Sequence, residues 1–383
     1  MKFHDYIGIG PDTFQSDYID TGLVTVGHHK EFPLSIYTYG RQTVNEQHWD
    51  KVTSRCRGII VNRETGDIVA RPFEKFHNYG STIYQGGTDR GQPTVWEKMD
   101  GFMITGYRWG GKWYAASKGS FHSIHAKWAT RALQALNLEV LPHDWTPIFE
   151  GLHPDLRIVV DYGKRQELVM LSLIHIESGE EVYPNCLRYY ADKLGCVTPR
   201  SWDMRLDEAV NGSRDTRVTG AEGYVLTWYH AHQPPSRLKL KFVEYLRLHR
   251  MVTGVSPKRI WEALASGSAD IHEYVTNSTP WFKAFTQKWV RALTTEFKRL
   301  KARAEERYAI CRETVRVKVG QEPYANLGEE RKAWAIEFQR PENAVYKSIL
   351  FAMLDNKDVN AVIWKQVKHM TSASGPMVDA HNT

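Results

Sequence analysis

Lys98-Met99-Asp100-Gly101 is the segment of this chain whose residue types best suit covalent chemistry. A lysine amine is protonated in water, so it becomes a nucleophile only when neighbouring cations, a metal or partial desolvation lower its pKa. Lys239 and Lys241 supply such neighbours if they share a strand, because residues two apart point to one face. Together they could hold a phosphate, offset the charge developing on it and depress the pKa of Lys98. Each piece taken singly has a plainer reading. Lys98 could be a strand-end surface lysine beside an Asp-Gly turn, and the Lys239/Lys241 pair the solvated face of an edge strand.

Short strands must position these groups. Gly58-Ile59-Ile60-Val61 is a β-branched run, Glu64–Asp67 reads as a hairpin turn, and Ile68-Val69-Ala70 returns. Thr94–Glu97 leads into Lys98, Phe102–Tyr107 continues as a strand, and Trp113–Ala116 answers it across Gly110-Gly111. A helix is expected over His122–Leu136, with further strands at Trp145–Glu150, Arg157–Tyr162, Leu168–Ile176, Gly223–Tyr229 and Arg237–Phe242. The pattern is that of an antiparallel, β-rich α+β domain and not of a regular βαβ alternation.

The texture changes near residue 250. Ser256-Pro257 and Ser278-Thr279-Pro280 are helix starts, with serine capping and proline in the first turn. Phe282, Phe285, Trp289, Leu293, Phe297 and Leu300 recur at spacings of three and four and define one apolar face. Opposite lie Lys283, Lys288, Arg291, Lys298, Arg299, Lys301 and Arg303 against Glu296. Pro341–Leu354 and Val359–Met370 also read as helices, and a Ser/Gly/Pro-rich tail follows from about residue 371. The expected organisation is thus a domain of residues 1–250 and an all-helical domain of residues 251–383.

Bulk properties set limits. A chain of 383 residues is long enough for two domains. Its formal charge of +6 permits a polyanionic partner without demanding one. Cys56, Cys186, Cys196 and Cys311 are widely spaced, which argues against a disulfide framework or a zinc site and for a reducing interior. Neither a signal peptide nor a membrane-spanning run is evident, so a cytoplasmic location is expected, the host cytoplasm if the source is viral.

Eight segments in fixed order carry a family resemblance over roughly residues 55–250. They are Cys56-Arg57-Gly58-Ile59, Arg71–Phe76 with Asn78, Lys98–Gly101, Ser117-Lys118-Gly119-Ser120, Phe149-Glu150, Arg157–Tyr162, Glu222-Gly223-Tyr224-Val225 and Lys239-Leu240-Lys241. In these the chain resembles the covalent nucleotidyltransferases, and within them the RNA ligase 1 type known from phage T4. The resemblance implies an antiparallel nucleotidyltransferase domain, an ATP-grasp-like ligase fold, followed by a helical domain. It also implies ATP and Mg²⁺, or Mn²⁺, as cofactors and a lysyl-AMP on Lys98. Glu150 would bind the ribose hydroxyls, and Glu222 a divalent metal, since a hard carboxylate suits Mg²⁺ beside phosphates. Arg57 would clamp phosphate with its rigid fork of donors, and Lys118 matches an essential basic position. The same resemblance assigns Lys75 and Gly101 to the nucleotide and Asp100, with Glu222, to the metal. Gly58, Gly101, Gly119 and Gly223 fit places of close approach or positive φ.

The chain departs from related enzymes at defined positions. DNA ligases and capping enzymes carry an arginine two residues past the motif glycine, where this chain has Met103. Phe102 stands where the phage enzyme has a small polar residue, and Leu168–Ile174 offers no aromatic ring for adenine. An OB-fold, which follows the catalytic domain of DNA ligases and capping enzymes, would need Gly-rich alternating strands that residues 251–370 lack. The expected activity is therefore ATP-dependent joining of RNA 5′-phosphate and 3′-OH ends. Single-stranded or looped RNA, a nicked tRNA among them, would be the partner. No Gly-rich loop ending in Gly-Lys-Ser/Thr is present, so a separate kinase or phosphatase would heal damaged ends. The competing expectations are a capping-like nucleotidyltransferase and a non-catalytic RNA-binding protein derived from a ligase.

Overall fold

Ile59, Ile60 and Val61 are all buried, because their strand is covered on both faces. In the computed structural model, which describes residues 1–81, 91–254, 256–268, 280–319 and 327–372, this strand belongs to the first of three sheets. The sheet runs β1 (Val24–His28), β2 (Leu34–Tyr39), β3 (Arg57–Asn62), β4 (Ile68–Ala70), each pair antiparallel. A second sheet has the order β10 (Glu167–His175), β9 (Trp145–Leu152), β7 (Phe102–Trp109), β8 (Lys112–Ser117). The third is ordered β11 (Ser201–Trp202), β6 (Thr94–Lys98), β12 (Gly223–His230), β13 (Gln233–Lys241), β5 (His77–Asn78). Strand β5 pairs in parallel along β13, with Asn78 opposite Lys239, so β13 is an interior strand of this sheet.

Helices close the outer faces. Helix α1 (Ile124–Gln134) starts where the Ser123 side chain accepts from the Ala126 N–H, and α2 (Pro184–Leu194) ends on Gly195 in the left-handed region. Leu133 of α1 and Leu187 and Leu194 of α2 pack with Phe102, Ile104, Phe149 and Met170 of the second sheet. Helix α3 (Leu206–Ser213) places Ala209 against Leu226 and Leu238 of the third.

Arg157–Tyr162, expected as a strand, is a loop. The Val159 and Val160 N–H groups donate to the Asp100 carboxylate at 2.8 and 2.6 Å, leaving them unavailable to a neighbouring strand. The first fifty-odd residues, which no motif marks, supply β1, β2 and the short helices that flank them.

Contacts divide the chain into two units, Met1–His249 and a second from Arg250 onward. Helix α4 (Val243–Gly254) follows β13. In the second unit, α5 (Pro257–Ser266) begins as expected, with Ser256 capping the Arg259 N–H and Pro257 in the first turn. Helix α6 (Pro280–Val319) is 40 residues long and buries Leu293, Leu300, Ala304, Cys311 and Val315 along one face. It packs on α7 (Leu327–Phe338), α8 (Lys347–Leu354) and α9 (Val359–Val367), with Phe297 stacked on Trp364 at 4.5 Å between centroids. Ser278, Thr279 and the side chains of Phe282 and Phe285 lie outside the described residues, as does the tail beyond Ser372.

Candidate active site

The register of the third sheet builds the centre of the site. Gly223 on β12 faces Lys98 on β6 on one side and Lys241 on β13 on the other, which puts both lysines in one row. Glu222, one residue before the strand, reaches between them. Its Oε2 lies 2.7 Å from the Lys98 Nζ and its Oε1 3.1 Å from the Lys241 Nζ. The Glu222 side chain is only 4% exposed, so this is a desolvated ion triad.

The charge state that follows differs from the sequence expectation. Burial pulls the Lys98 ammonium down, but Glu222, Glu150 and Asp100 outweigh burial and hold its pKa above the ordinary lysine value. The depressed lysine is Lys239. Burial, and then Lys98, Arg57, Lys75 and Lys241, hold it well below the usual range. Neighbouring cations were expected to lower Lys98, yet in this state a carboxylate in direct contact prevails over them. Glu222 is itself held below the ordinary carboxylate value: burial raises it, and the two lysines more than compensate.

Glu150, on β9, accepts from the Gly101 N–H at 3.1 Å. A Cβ on Gly101 would lie 2.3 Å from the Gly151 carbonyl and 2.9 Å from the Glu150 Cγ, so this contact requires glycine. Burial pushes the Glu150 carboxyl up to about 7, with Lys98 opposing and Glu222 reinforcing the shift. Asp100 sits among hydrogen-bond donors: the Val159 and Val160 N–H groups, and the Tyr245 hydroxyl at 2.7 Å. Its own N–H donates to the Tyr162 hydroxyl at 2.9 Å. Asp100 thus ties the tetrapeptide to the 157–162 loop and to α4.

Cations are backed by aromatic faces. Along β13, Arg237 lies over Phe73 at 4.5 Å, Lys239 over Phe76 at 4.9 Å and Lys241 over Tyr245 at 5.2 Å. Lys75 sits over Trp49 at 4.5 Å, and Lys118 over Tyr39 at 4.6 Å, with its Nζ donating to the Tyr39 hydroxyl at 3.3 Å. Arg57 lies over Phe76 at 5.6 Å, and its Nη1 donates to the Met103 Sδ at 2.9 Å. Gly58 takes φ +94 beside the Lys118 carbonyl, where a Cβ would come within 2.7 Å of that oxygen. The glycine therefore brings the strand of Arg57 against the turn of Lys118.

Lys98, Glu222, Lys241, Glu150 and Asp100 are joined by direct contacts or common neighbours, and Lys239 bears electrostatically on Lys98, Arg57 and Lys75. Phe102 points elsewhere: its ring lies edge-on to His125 and Trp128, and a Cβ on Gly151 would sit 2.3 Å from it. Tyr39, Trp49, Tyr162 and Tyr245 were not singled out in the sequence. Tyr245 alone had a signal, its place four residues after Lys241. Among the described residues, no group of three or more His, Cys, Asp or Glu is gathered for a metal. None of the described helices is long and apolar enough to cross a membrane.

Residues 55–245 match a family described as RNA ligase. The chain is 28% identical to the RNA ligase 1 of bacteriophage TS2126 over 191 residues, covering 45% of this chain and 47% of that protein. It is 24% identical over 279 residues to a protein of Autographa californica nuclear polyhedrosis virus named as a bifunctional polynucleotide kinase/RNA ligase, covering 66% and 38% respectively. The chain thus spans half or less of the length of these two relatives. An archaeal ATP-dependent RNA ligase of known structure is similar with a TM-score of 0.44 and 15% identity, covering 75% of this chain and 72% of that one.

Proposed function

Because residues 55–245 form a domain of the RNA ligase family, we propose that this protein joins RNA ends at the expense of ATP through an AMP carried on Lys98. The observation that carries the reading is Lys98 at a strand end, paired to Glu222, which also pairs with Lys241, and faced by Glu150.

In the first step the neutral Lys98 Nζ attacks the α-phosphorus of ATP, a P–N bond forms, and the P–O bond to pyrophosphate breaks. Lys98 must first lose its proton, and Glu222 at 2.7 Å is the nearest acceptor. Moving Glu222 away from Lys98 removes the main support of the ammonium form. Lys239 and Lys241 hold the α-phosphate and offset its developing charge. Arg57, Lys75 and Lys118 hold the outgoing phosphates, and Glu150 takes the ribose hydroxyls while Gly101 allows the sugar's close approach. In the second step an RNA 5′-phosphate oxygen attacks the same phosphorus, the P–N bond breaks and a 5′–5′ pyrophosphate link results. In the third an RNA 3′-OH attacks the 5′-phosphorus, a phosphodiester forms and AMP leaves. One cation set serves all three steps because each acts on an adenylylated phosphate.

Among the carboxylates of this site, Glu222 is the one that would hold a divalent metal. The partners of Glu222 are lysines that phosphates could take over. Asp100 was expected as a second ligand, but its oxygens are engaged by backbone and tyrosine donors, and we assign it to positioning. A bound metal would neutralise phosphate charge.

We assign unpaired RNA ends, such as those of a nicked tRNA loop, as substrate, with a separate end-healing activity and a cytoplasmic setting. The test is incubation with labelled ATP or GTP and a denaturing gel, followed by joining of 5′-phosphorylated single-stranded RNA, nicked duplex and anticodon-nicked tRNA. Label from ATP that Lys98→Ala abolishes is expected, and label retained only from GTP would defeat the ligase reading.

A further inference from the structure

Trp49 lies outside the matched residues 55–245, yet the Lys75 ammonium sits 4.5 Å from its ring. The chain around Trp49 is fixed on both sides. The helix Arg41–Glu46 ends on Gln47, whose φ of +55 lies in the left-handed region that residues other than glycine seldom enter. The Trp49 N–H closes this turn by donating to the Gln47 carbonyl at 3.0 Å. Asp50 then opens the helix Lys51–Arg55, its carboxylate accepting from the Thr53 N–H at 2.7 Å and from the Tyr18 hydroxyl at 2.7 Å. The Ser54 carbonyl accepts from the Lys75 N–H at 2.8 Å, and Arg57 follows two residues after the helix. One short helix thus ties Trp49 to the Lys75 backbone and to Arg57.

Glu74, next to Lys75 in sequence, turns instead to Arg55 at 3.4 Å and Arg71 at 3.7 Å. Burial pulls the Lys75 pKa below the ordinary lysine value; Tyr39 opposes this, and Arg57, Lys118 and Lys241 add to it. None of these is a carboxylate. The ammonium is held by rings, Trp49 at 4.5 Å and Tyr39 at 5.5 Å, which meet edge-on at 5.0 Å. His77 closes edge-on against Trp49 at 5.6 Å. We propose that Trp49 is a positioning residue for pyrophosphate, fixing Lys75 beside Arg57 and Lys118 to hold the phosphates that leave ATP. A carboxylate would compete with phosphate for the ammonium, whereas a ring face attracts the cation and adds no charge of its own. Lys75 is half-buried and so keeps a side open to a ligand. The proposal rests on the RNA-joining reading, in which Lys75 holds the outgoing phosphates.

The test measures binding of inorganic pyrophosphate to the full chain by calorimetry in the presence of Mg²⁺. Trp49→Leu should weaken it roughly 3- to 30-fold, the range that a cation–π contact supplies, and Trp49→Phe should weaken it less. In a Lys75→Met background, Trp49→Leu should cost no more than about twofold, because Trp49 acts through Lys75. Pyrophosphate should also discharge the adenylylated chain: its oxygen attacks the phosphorus, the P–N bond to Lys98 breaks and ATP re-forms. The pyrophosphate concentration giving half the maximal discharge rate should rise in Trp49→Leu by the factor seen in binding. Joining of pre-adenylylated RNA, which releases AMP and no pyrophosphate, should fall by a much smaller factor. Unchanged pyrophosphate binding in Trp49→Leu overturns the assignment. So do equal losses in the two reactions, equal losses in the two Trp49 variants, or the full loss repeated without Lys75. A parent chain that takes no AMP from ATP defeats the ligase reading instead, and the calorimetric comparison then decides on Trp49 by itself.

Discussion

Replacing Glu150 by glutamine should stabilise the protein at alkaline pH and leave it nearly unchanged at acid pH. Burial raises the Glu150 carboxyl from 4.5 to about 7. A carboxyl whose folded pKa exceeds its unfolded value gains stability from its proton fully below the unfolded value, and loses it as pH rises through the folded one. The loss therefore falls between about pH 4.5 and pH 7, and above that window the wild type carries an ionised, poorly solvated carboxylate. Raising this carboxyl from 4.5 to about 7 corresponds to about 3 kcal/mol. Glutamine keeps the oxygen that accepts from the Gly101 N–H but has no charge to desolvate. For a unit of some 250 residues, 3 kcal/mol amounts to roughly 6–12 °C in Tm. Calorimetry of both proteins at pH 5 and pH 8.5 should show the variant melting higher by about that interval at pH 8.5 only. A Tm difference equal at the two pH values would refute the reasoning. The same variant should lose ATP labelling, because the ribose would lose its carboxylate.

Further substitutions probe the buried polar contacts of the first unit. Glu222→Gln strands two buried ammonium groups and should cost about 3–5 kcal/mol in urea unfolding. Adding Lys98→Met should recover part of that loss, and additive losses would contradict the ion triad. Tyr245→Phe removes one hydroxyl donor from Asp100 and should cost about 1–2 kcal/mol. It should slow AMP transfer more than it weakens ATP binding, and an unchanged rate would argue against Asp100 as a positioning group. Glu181→Gln breaks the buried pair with Arg237, which also holds the Ser172 hydroxyl. A loss of about 3–5 kcal/mol is expected, and a loss below about 1 kcal/mol would show Arg237 to be satisfied otherwise.

How far the sequence carried depends on the range of the contacts involved. Lys239 and Lys241 were legible as one face because strand periodicity is local, and the hairpin at 58–70 was legible from its β-branched runs and turn. The Lys98–Glu222 pair was not, since it depends on the register between β6 and β12, which joins residues 124 positions apart. That is why the sequence suggested a lysine depressed by cations where the fold places one held charged by a carboxylate. The family resemblance assigns Asp100 to the metal, and only the folded 157–162 loop shows which backbone donors engage its carboxylate. The aromatic supports on β2 and near residue 49 carry no motif and reach the site through tertiary packing. In α6 the basic residues are visible as a set, but which of them meet a carboxylate, as Arg299 meets Glu296, needs the side-chain geometry.

The aromatic backing of the β13 cations bears on how the site returns to its starting condition. A lysine kept in place by a carboxylate must give up that partner whenever a phosphate arrives and regain it when the phosphate goes. A ring face holds a cation without carrying charge of its own, so nothing must be exchanged. On the proposed reading, Lys239 over Phe76 would meet ATP, adenylylated RNA and AMP in turn from one resting geometry. On that reading, reorganisation between successive turnovers would be concentrated on the movement of a single carboxylate, that of Glu222.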